Sequence, residues 1–508
     1  MEKKICGYYL DKQQLDIVYD DSKYLLVVAG AGSGKTLTIL GKIYYLVEEK
    51  KINPNDILCI SFTKASANSL KDKIKKEFNY SMPVYTFHKL SLEILKESNN
   101  NYDIADSNTL ENIIHEFFSI SILEHSNYIK IIFKYFNLKC KGNIIKKYRD
   151  FYSYNYQQIE LLEKLLATFL HLFKCNNYKL IDFNKFLKQI SRTFSYKKYI
   201  HEKSFLILAL NFYLQYQEYL VANKEIDFDD MIYYATDYMK ENGINKKFKY
   251  VIIDEYQDTS YVRFCLVKEI LNSCGGNLMV VGDDFQSIYR FTGCDVSLFL
   301  NFQEYFNDAK IMKIENTYRN SQELIKIAGD FVMKNPKQIK KDLHSTKCLD
   351  NPVKIIYYDS ITVEFKKLIE EIYLQTNKPI LVLGRNNKDI NLILDSEITL
   401  VSGDKLVYKN NKNIDLHYMT VHKSKGLEEE NVIIINLENN FLGFPNQIKD
   451  DKILRLVSRQ FEKYPYSEER RLFYVALTRT KNYVYLLVPN KNKSIFITEL
   501  EYMIDKNG

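Results

Sequence analysis

The chain has no tryptophan, and only 8 prolines and 17 glycines among its 508 residues. Such scarcity of breakers excludes a collagen-like or Gly/Pro-rich disordered chain and leaves room for long elements. Its 8 cysteines include no Cys-x-x-Cys pair and no His/Cys cluster of zinc spacing, which predicts reduced thiols in a cytosolic protein. No window approaches the roughly 20 uncharged apolar residues that cross a bilayer. The start, MEKKICGYYLDKQQ, lacks the apolar core of a secretion signal. A soluble, cytoplasmic chain with no membrane partner is expected. Charge of one sign is also scarce in excess: 71 basic against 64 acidic residues leave +7. That permits a polyanionic partner without demanding one.

What is abundant needs a discount. Lys, Asn, Ile, Tyr and Phe all have A/T-rich codons, and 41 Tyr with no Trp fit an A/T-rich genome. Loose lysines and aromatics therefore carry little weight as nucleic-acid signals; those inside motifs count.

The first motif is a phosphate cradle. YLLVVA (24–29) reads as a buried strand, AGAGSGKT (29–36) as a glycine loop, and the adjoining TLTILGKIYYLV as a helix. Gly30, Gly32 and Gly34, with Ala31 and Ser33 between them, let backbone N–H groups face phosphate oxygens. Lys35 can reach the β/γ-phosphates, and the Thr36 hydroxyl can ligate Mg²⁺. The strict pattern has Gly where this chain has Ala29. A second strand, in KYVIIDEYQDTS (249–260), ends on Asp254, placed to hold Mg²⁺, and Glu255, placed to polarise the attacking water. VVGDDFQSIYRF (280–291) puts two carboxylates and Gln286 a few residues from Tyr289 and Phe291. That run joins an ATP site to stacking surfaces.

Together these motifs resemble superfamily-one DNA helicases of the UvrD/Rep type, particularly the helicase IV branch, over about residues 8–488. The resemblance implies further roles. Gln14 in LDKQQLDIV would read adenine, and Tyr318 in NTYRNSQEL would stack on it. Gln286 would sense the γ-phosphate. Arg319 and Arg479 (in EERRLFYVALTRT) would act as arginine fingers, and Glu428 would contact ribose. Phe62, Thr63 and Lys64, then Thr86, Phe87 and His88, then Tyr289, Phe291 and His422 would face DNA. Many relatives have Trp at the position of Phe291, and Arg at the position of Leu37.

The implied fold is α/β: two RecA-like P-loop domains with parallel sheets and a helical insertion in the first. Residues 1–90 and 226–300 would form the first domain, 91–225 the insertion and 301–508 the second. The stripe in QQIELLEKLLATFLHLF (157–173) reads as core, and the lysine-rich KCKGNIIKKYRDF (139–151) could track a phosphate backbone. Apparent core strands within 320–416 leave little room for a second insertion. The chain ends soon after the last motif, so a fused nuclease is not expected. Ser61 and Ser287 have no base at triad spacing. The implied activity is ATP- and Mg²⁺-dependent movement on single-stranded or tailed duplex DNA, 3′ to 5′. The alternative is a DNA-stimulated ATPase subunit that regulates a separate nuclease partner in defence or recombination.

Overall fold

The computed structural model describes residues 4–98, 102–139, 142–191, 195–459 and 462–507. Cys140 and Lys141, inside the lysine-rich stretch, lie outside the described residues.

Short apolar runs set the first sheet: β1 (Tyr24–Ala29), β2 (Ile57–Ser61) and β3 (Val84–Thr86) precede the insertion. Within the insertion a two-residue ladder pairs β4 (Asp103–Ile104) with β5 (Glu225–Ile226). Then come β6 (Tyr250–Ile253), β7 (Asn277–Gly282) and β8 (Lys310–Ile314). The order is β3-β2-β6-β7-β1-β8, parallel throughout. Parallel strands covered on both faces need no polar alternation. Here Leu26 and Val28 enter one core while Leu25 and Val27 enter the other.

β8 corrects the expected boundary at residue 300. Its Lys310–Ile314 pair with β1, and Phe302, Phe306 and Ala309 pack into the first core. The run KIMKI is poorly apolar because β8 is an edge strand, so sequence pattern hid it.

The second sheet contains β9 (Val353–Tyr358), β10 (Ile380–Gly384), β11 (Ile398–Ser402), β12 (Lys405–Tyr408), β13 (Leu416–Thr420), β14 (Glu429–Ile434) and β15 (Thr480–Pro489). Its order is β11-β12-β13-β10-β14-β15-β9. Five strands are parallel, as expected. The hairpin β11–β12 is antiparallel and turns at Gly403, whose φ is +57°. This sheet is therefore mixed. Among the described residues of 320–416, every strand belongs to this sheet, and no separate helical body interrupts it.

The insertion has its own core. On the helix Tyr156–Cys175, Ile159, Leu162, Leu166, Phe169 and Phe173 are buried among side chains of the helices around it, including Tyr196–Asn223. Lys146, Lys147 and Arg149 are exposed, and Tyr148 is buried with its hydroxyl donating to Phe118 O at 2.7 Å. Two segments cross between bodies. Phe285 and Ile288 leave the first lobe to pack in the second core. Ile453, Leu456 and Val457 leave the second lobe to pack in the insertion's core.

Candidate nucleotide site and aromatic track

β1 delivers the chain into the glycine loop, and the helix Lys35–Tyr44 begins directly after it. Gly32 and Gly34 have φ of +72° and +79°, so side chains there would be strained. A methyl on Gly32 would also meet Arg319 Cβ, and one on Gly34 would meet Gln14 Nε2. Ser33 folds back, its hydroxyl donating to Gly30 O at 2.9 Å. Ala29 ends the strand, buried.

At the tip of β6, Lys35 Nζ lies 3.3 Å from Glu255 Oε1. Gln257 Nε2 donates to Glu255 Oε2 at 2.5 Å, and Glu255 N donates to Asp254 Oδ1 at 2.9 Å. Glu255 is held in the left-handed region, φ +53°, a conformation non-glycine residues adopt at some cost. Burial resists ionisation of both acids. For Glu255 the cations Lys35 and Lys425 win and hold it well below the usual carboxylate range. For Asp254, burial and the Glu255 charge push it up to about 7. Thr36 stands one residue from Lys35, half-buried. Oxygen donors at 36 and 254 are the set a hard divalent ion takes, and such an ion would favour ionised Asp254.

The second lobe reaches this site by two routes. Thr317 Oγ1 donates to Ala31 O at 2.6 Å, and Tyr318 N donates to Gly32 O at 3.0 Å, so 317–319 lie on the glycine loop. Arg319 Nε donates to Glu428 Oε2 at 2.6 Å. Arg479 is fully buried. Its described hydrogen bonds go to neutral oxygens: Val475 O, Leu427 O, Thr478 Oγ1 and Gln286 Oε1, the last at 3.4 Å. Burial and the Arg319 charge lower it to about 10. A buried guanidinium bonded only to neutral oxygens among the described residues favours an anionic ligand.

The remaining expected contacts are mixed. Gln14 is buried and hydrogen-bonded at both ends of its amide: Oε1 accepts from Asp11 N and Nε2 donates to Ser33 O. Tyr318 is exposed, with its hydroxyl donating to Asp11 Oδ2 at 2.7 Å beside it. Both flank the glycine loop. Leu37 packs against the first lobe's other core layer, with Leu25 and Val27.

Tyr289 stacks nearly parallel on Phe62, with centroids 5.9 Å apart. Phe291, 56% exposed, meets Tyr289 and His422 edge-on. Lys64 is exposed, and Thr63 caps the helix Lys64–Phe78 by accepting from Ser66 N. Thr86 and Phe87 need correction as DNA contacts. The Thr86 hydroxyl caps the next helix, accepting from Lys89 N, and the Phe87 ring is buried in the first core. His88 packs edge-on against Phe228, and burial lowers its pKa to about 4, so it is neutral at physiological pH. The same holds for His422, also lowered to about 4.

Several residues in this region have no counterpart in the sequence-based expectations. Lys425 Nζ donates to Asp258 Oδ2 at 2.5 Å and Gln286 O at 2.7 Å, and lies over Tyr289. It links both acid-bearing loops to the track, and its KSKG context is the one local signal for it. Arg385, which the sequence marks only as the end of a strand run, lines a groove of about 1380 Å³ with Phe291, His422, Asn386, Lys449 and Lys452. Asp283 and Asp284 are engaged within the protein. Both neutralise Lys341, which is buried with them; its Nζ is 2.6 Å from Asp284 Oδ1 and 3.4 Å from the Phe285 centroid. Nothing local in KQIKKDL marks this lysine. Lys341→Met should strand two buried carboxylates and cost about 3–5 kcal/mol. Urea denaturation checks this, and adding Asp284→Asn should recover part of the loss.

Two RecA-like lobes around a P-loop, with arginines supplied from the far lobe, define the class. The chain belongs to the UvrD/Rep helicase family: residues 10–307 match the UvrD/REP helicase N-terminal domain, and 394–491 the UvrD-like helicase C-terminal domain. It is 26% identical to DNA helicase IV of Escherichia coli K12 over 503 residues, covering 97% of this chain and 70% of that protein. It is 26% identical to a probable DNA helicase of Mycoplasma pneumoniae over 499 residues, covering 94% and 83%. Against ATP-dependent DNA helicase Rep of Buchnera aphidicola (subsp. Schizaphis graminum) identity is 29% over 365 residues, covering 70% of this chain and 49% of that protein. The chain thus spans about half the length of Rep. Among the described residues no helix is long and apolar enough to cross a membrane.

Proposed function

We propose that the chain is an ATP-driven motor that moves 3′ to 5′ on single-stranded DNA. The observation that carries this is Arg479. It is a buried cation from the second lobe, bonded to neutral oxygens, and it touches Gln286, which begins the run leading to Tyr289 and Phe291.

The glycine loop and Lys35 bind the triphosphate, and Glu255 orients the attacking water. Mg²⁺ held by Thr36 and Asp254 would neutralise charge on the phosphates. Tyr318 offers the adenine a face, and Gln14 needs only to exchange an existing partner to read its edge. The Arg319–Glu428 pair must open for the guanidinium to meet phosphate and the carboxylate to meet ribose. Arg479 then draws the lobes together, and Gln286 passes that movement to Tyr289 and Phe291. The polarity rests on likeness to the family, and the local chemistry is neutral on it.

ATPase measurement with and without single-stranded DNA, beside strand displacement on 3′- and 5′-tailed duplexes, tests the reading. Stimulated hydrolysis with displacement only from the 3′ tail is expected. Hydrolysis indifferent to DNA would refute it. Stimulated hydrolysis without displacement would leave a translocating ATPase.

Phe291→Ala should weaken single-stranded DNA binding by about 1–3 kcal/mol. Fluorescence anisotropy of a labelled oligonucleotide measures this. Unchanged affinity would remove Phe291 from the track.

A further inference from the structure

A cluster outside the nucleotide site joins the insertion to the first lobe. His171 and Cys175 are one helical turn apart at the end of Tyr156–Cys175, and Asp229 stands opposite on the helix Phe228–Asn242. His171 Nδ1 lies 3.0 Å from Asp229 Oδ2 and 3.8 Å from Cys175 Sγ, His171 Nε2 lies 3.5 Å from the same sulfur, and Cys175 Sγ lies 3.3 Å from Asp229 Oδ1. All three can offer ligand atoms within 4.8 Å of one another. Tetrahedral zinc with one sulfur, one nitrogen and one oxygen ligand sets such atoms about 3.3–3.6 Å apart. The sulfur distances of 3.3 Å to Asp229 Oδ1 and 3.5 Å to His171 Nε2 fall in that range, and the His171–Asp229 pair at 3.0 Å must part slightly to admit the ion.

We propose that His171, Cys175 and Asp229 form a zinc site. A thiolate, an imidazole and a carboxylate together select a borderline-soft divalent ion over Mg²⁺ or Ca²⁺. Thr292 O, 3.7 Å from Cys175 Sγ, stands next to the cluster, and the partly exposed side of His171 admits a water as a further ligand. Binding exchanges the thiol proton for the metal, so one proton leaves as the Zn–S bond forms. The sequence contains the pattern His-x-x-x-Cys at 171–175, which lacks a second pair nearby and so reads as no zinc motif. The third ligand, 54 residues on from the cysteine, becomes a neighbour only through the fold.

The site adjoins the loop carrying Phe291. Gly293, at φ +80°, leaves no room for a side chain, since a methyl there would meet Cys175 Cβ. An ion here would pin the insertion, the first lobe and that loop at one point. The same three groups also serve as mutual hydrogen-bond partners without a metal, and the experiment separates these cases.

The purified full chain, stripped of metal, is titrated with Co²⁺ and then Zn²⁺. One Co²⁺ per chain, with a sulfur-to-cobalt charge-transfer band that Zn²⁺ removes, is expected. Cys175→Ser should abolish the band. His171→Gln and Asp229→Asn should weaken Zn²⁺ binding by more than about 100-fold, beyond the loss from an outer-shell change. Circular dichroism of each variant without metal shows that it folds. Cys294→Ser, altering a neighbouring thiol beside Thr292, should keep the band. Absence of any band, a band surviving Cys175→Ser, or loss of the band only in Cys294→Ser overturns the assignment.

Discussion

Glu255→Gln is expected to end ATP turnover while nucleotide still binds. Glu255 is ionised by Lys35 and Lys425 in spite of burial, and Gln257 fixes its second oxygen. A glutamine keeps the size and the hydrogen-bond reach but loses the basic oxygen. General-base removal costs about 10²–10⁴ in rate. The change also releases Lys35 from its 3.3 Å ion pair, so phosphate binding should hold or tighten. Lys35→Ala should differ in kind, losing both binding and turnover. Phosphate release with saturating single-stranded DNA, paired with binding of a fluorescent ATP analogue, distinguishes the two. Wild-type turnover in Glu255→Gln would remove this residue from the chemistry. Weak binding in Glu255→Gln with ordinary turnover at high ATP would show that it acts on affinity instead.

The strands that deliver this site are legible in the sequence because each is a short apolar run ending on a polar motif. YLLVVA, YVII and NLMVVG are buried on both faces, and a covered parallel strand needs no alternation to be recognised. PILVLG is readable on the same ground, whereas VKIIYY, the edge strand of the second sheet and only partly buried, is readable from its β-branched and aromatic composition. The elements that stay hidden have no local signature. β8 is a half-exposed edge whose membership is decided by β1. Lys341 is an ordinary lysine in a lysine-rich chain until Asp283 and Asp284 close on it. Thr86 and Phe87 show the opposite failure. A motif match assigns them a ligand role, while the helix that starts there uses the hydroxyl as a cap and the ring as core. The DDFQSIYRF run divides for the same reason: the carboxylates of its opening dipeptide hold the lobe junction, and Gln286 alone faces the arginine.

Arg479 gives the second large effect, because it is where hydrolysis and movement meet. Its guanidinium is buried and bonded to four neutral oxygens, and it is pushed toward its neutral form by burial and by Arg319. The γ-phosphate would supply the missing negative charge, so closure should be favoured only while that group is present. Arg479→Ala should lower DNA-stimulated turnover by about 10³-fold or more, the range for an arginine finger. Arg479→Lys should recover little, since a point charge cannot span Leu427 O, Val475 O and Gln286 at once. DNA affinity without nucleotide should stay near the wild-type value in both variants, because Phe62, Tyr289 and Phe291 are untouched. The change in DNA affinity on adding a non-hydrolysable ATP analogue should vanish. Gln286→Ala should break the same coupling while leaving more of the hydrolysis intact, since its amide receives from Arg479 rather than from the cradle. A melting curve for each variant separates these effects from loss of the lobe junction. If Arg479→Ala hydrolyses ATP normally yet loses the nucleotide-dependent change in DNA affinity, the arginine transmits closure without stabilising the transition state. If both properties survive, the far lobe plays no part in reading the phosphate.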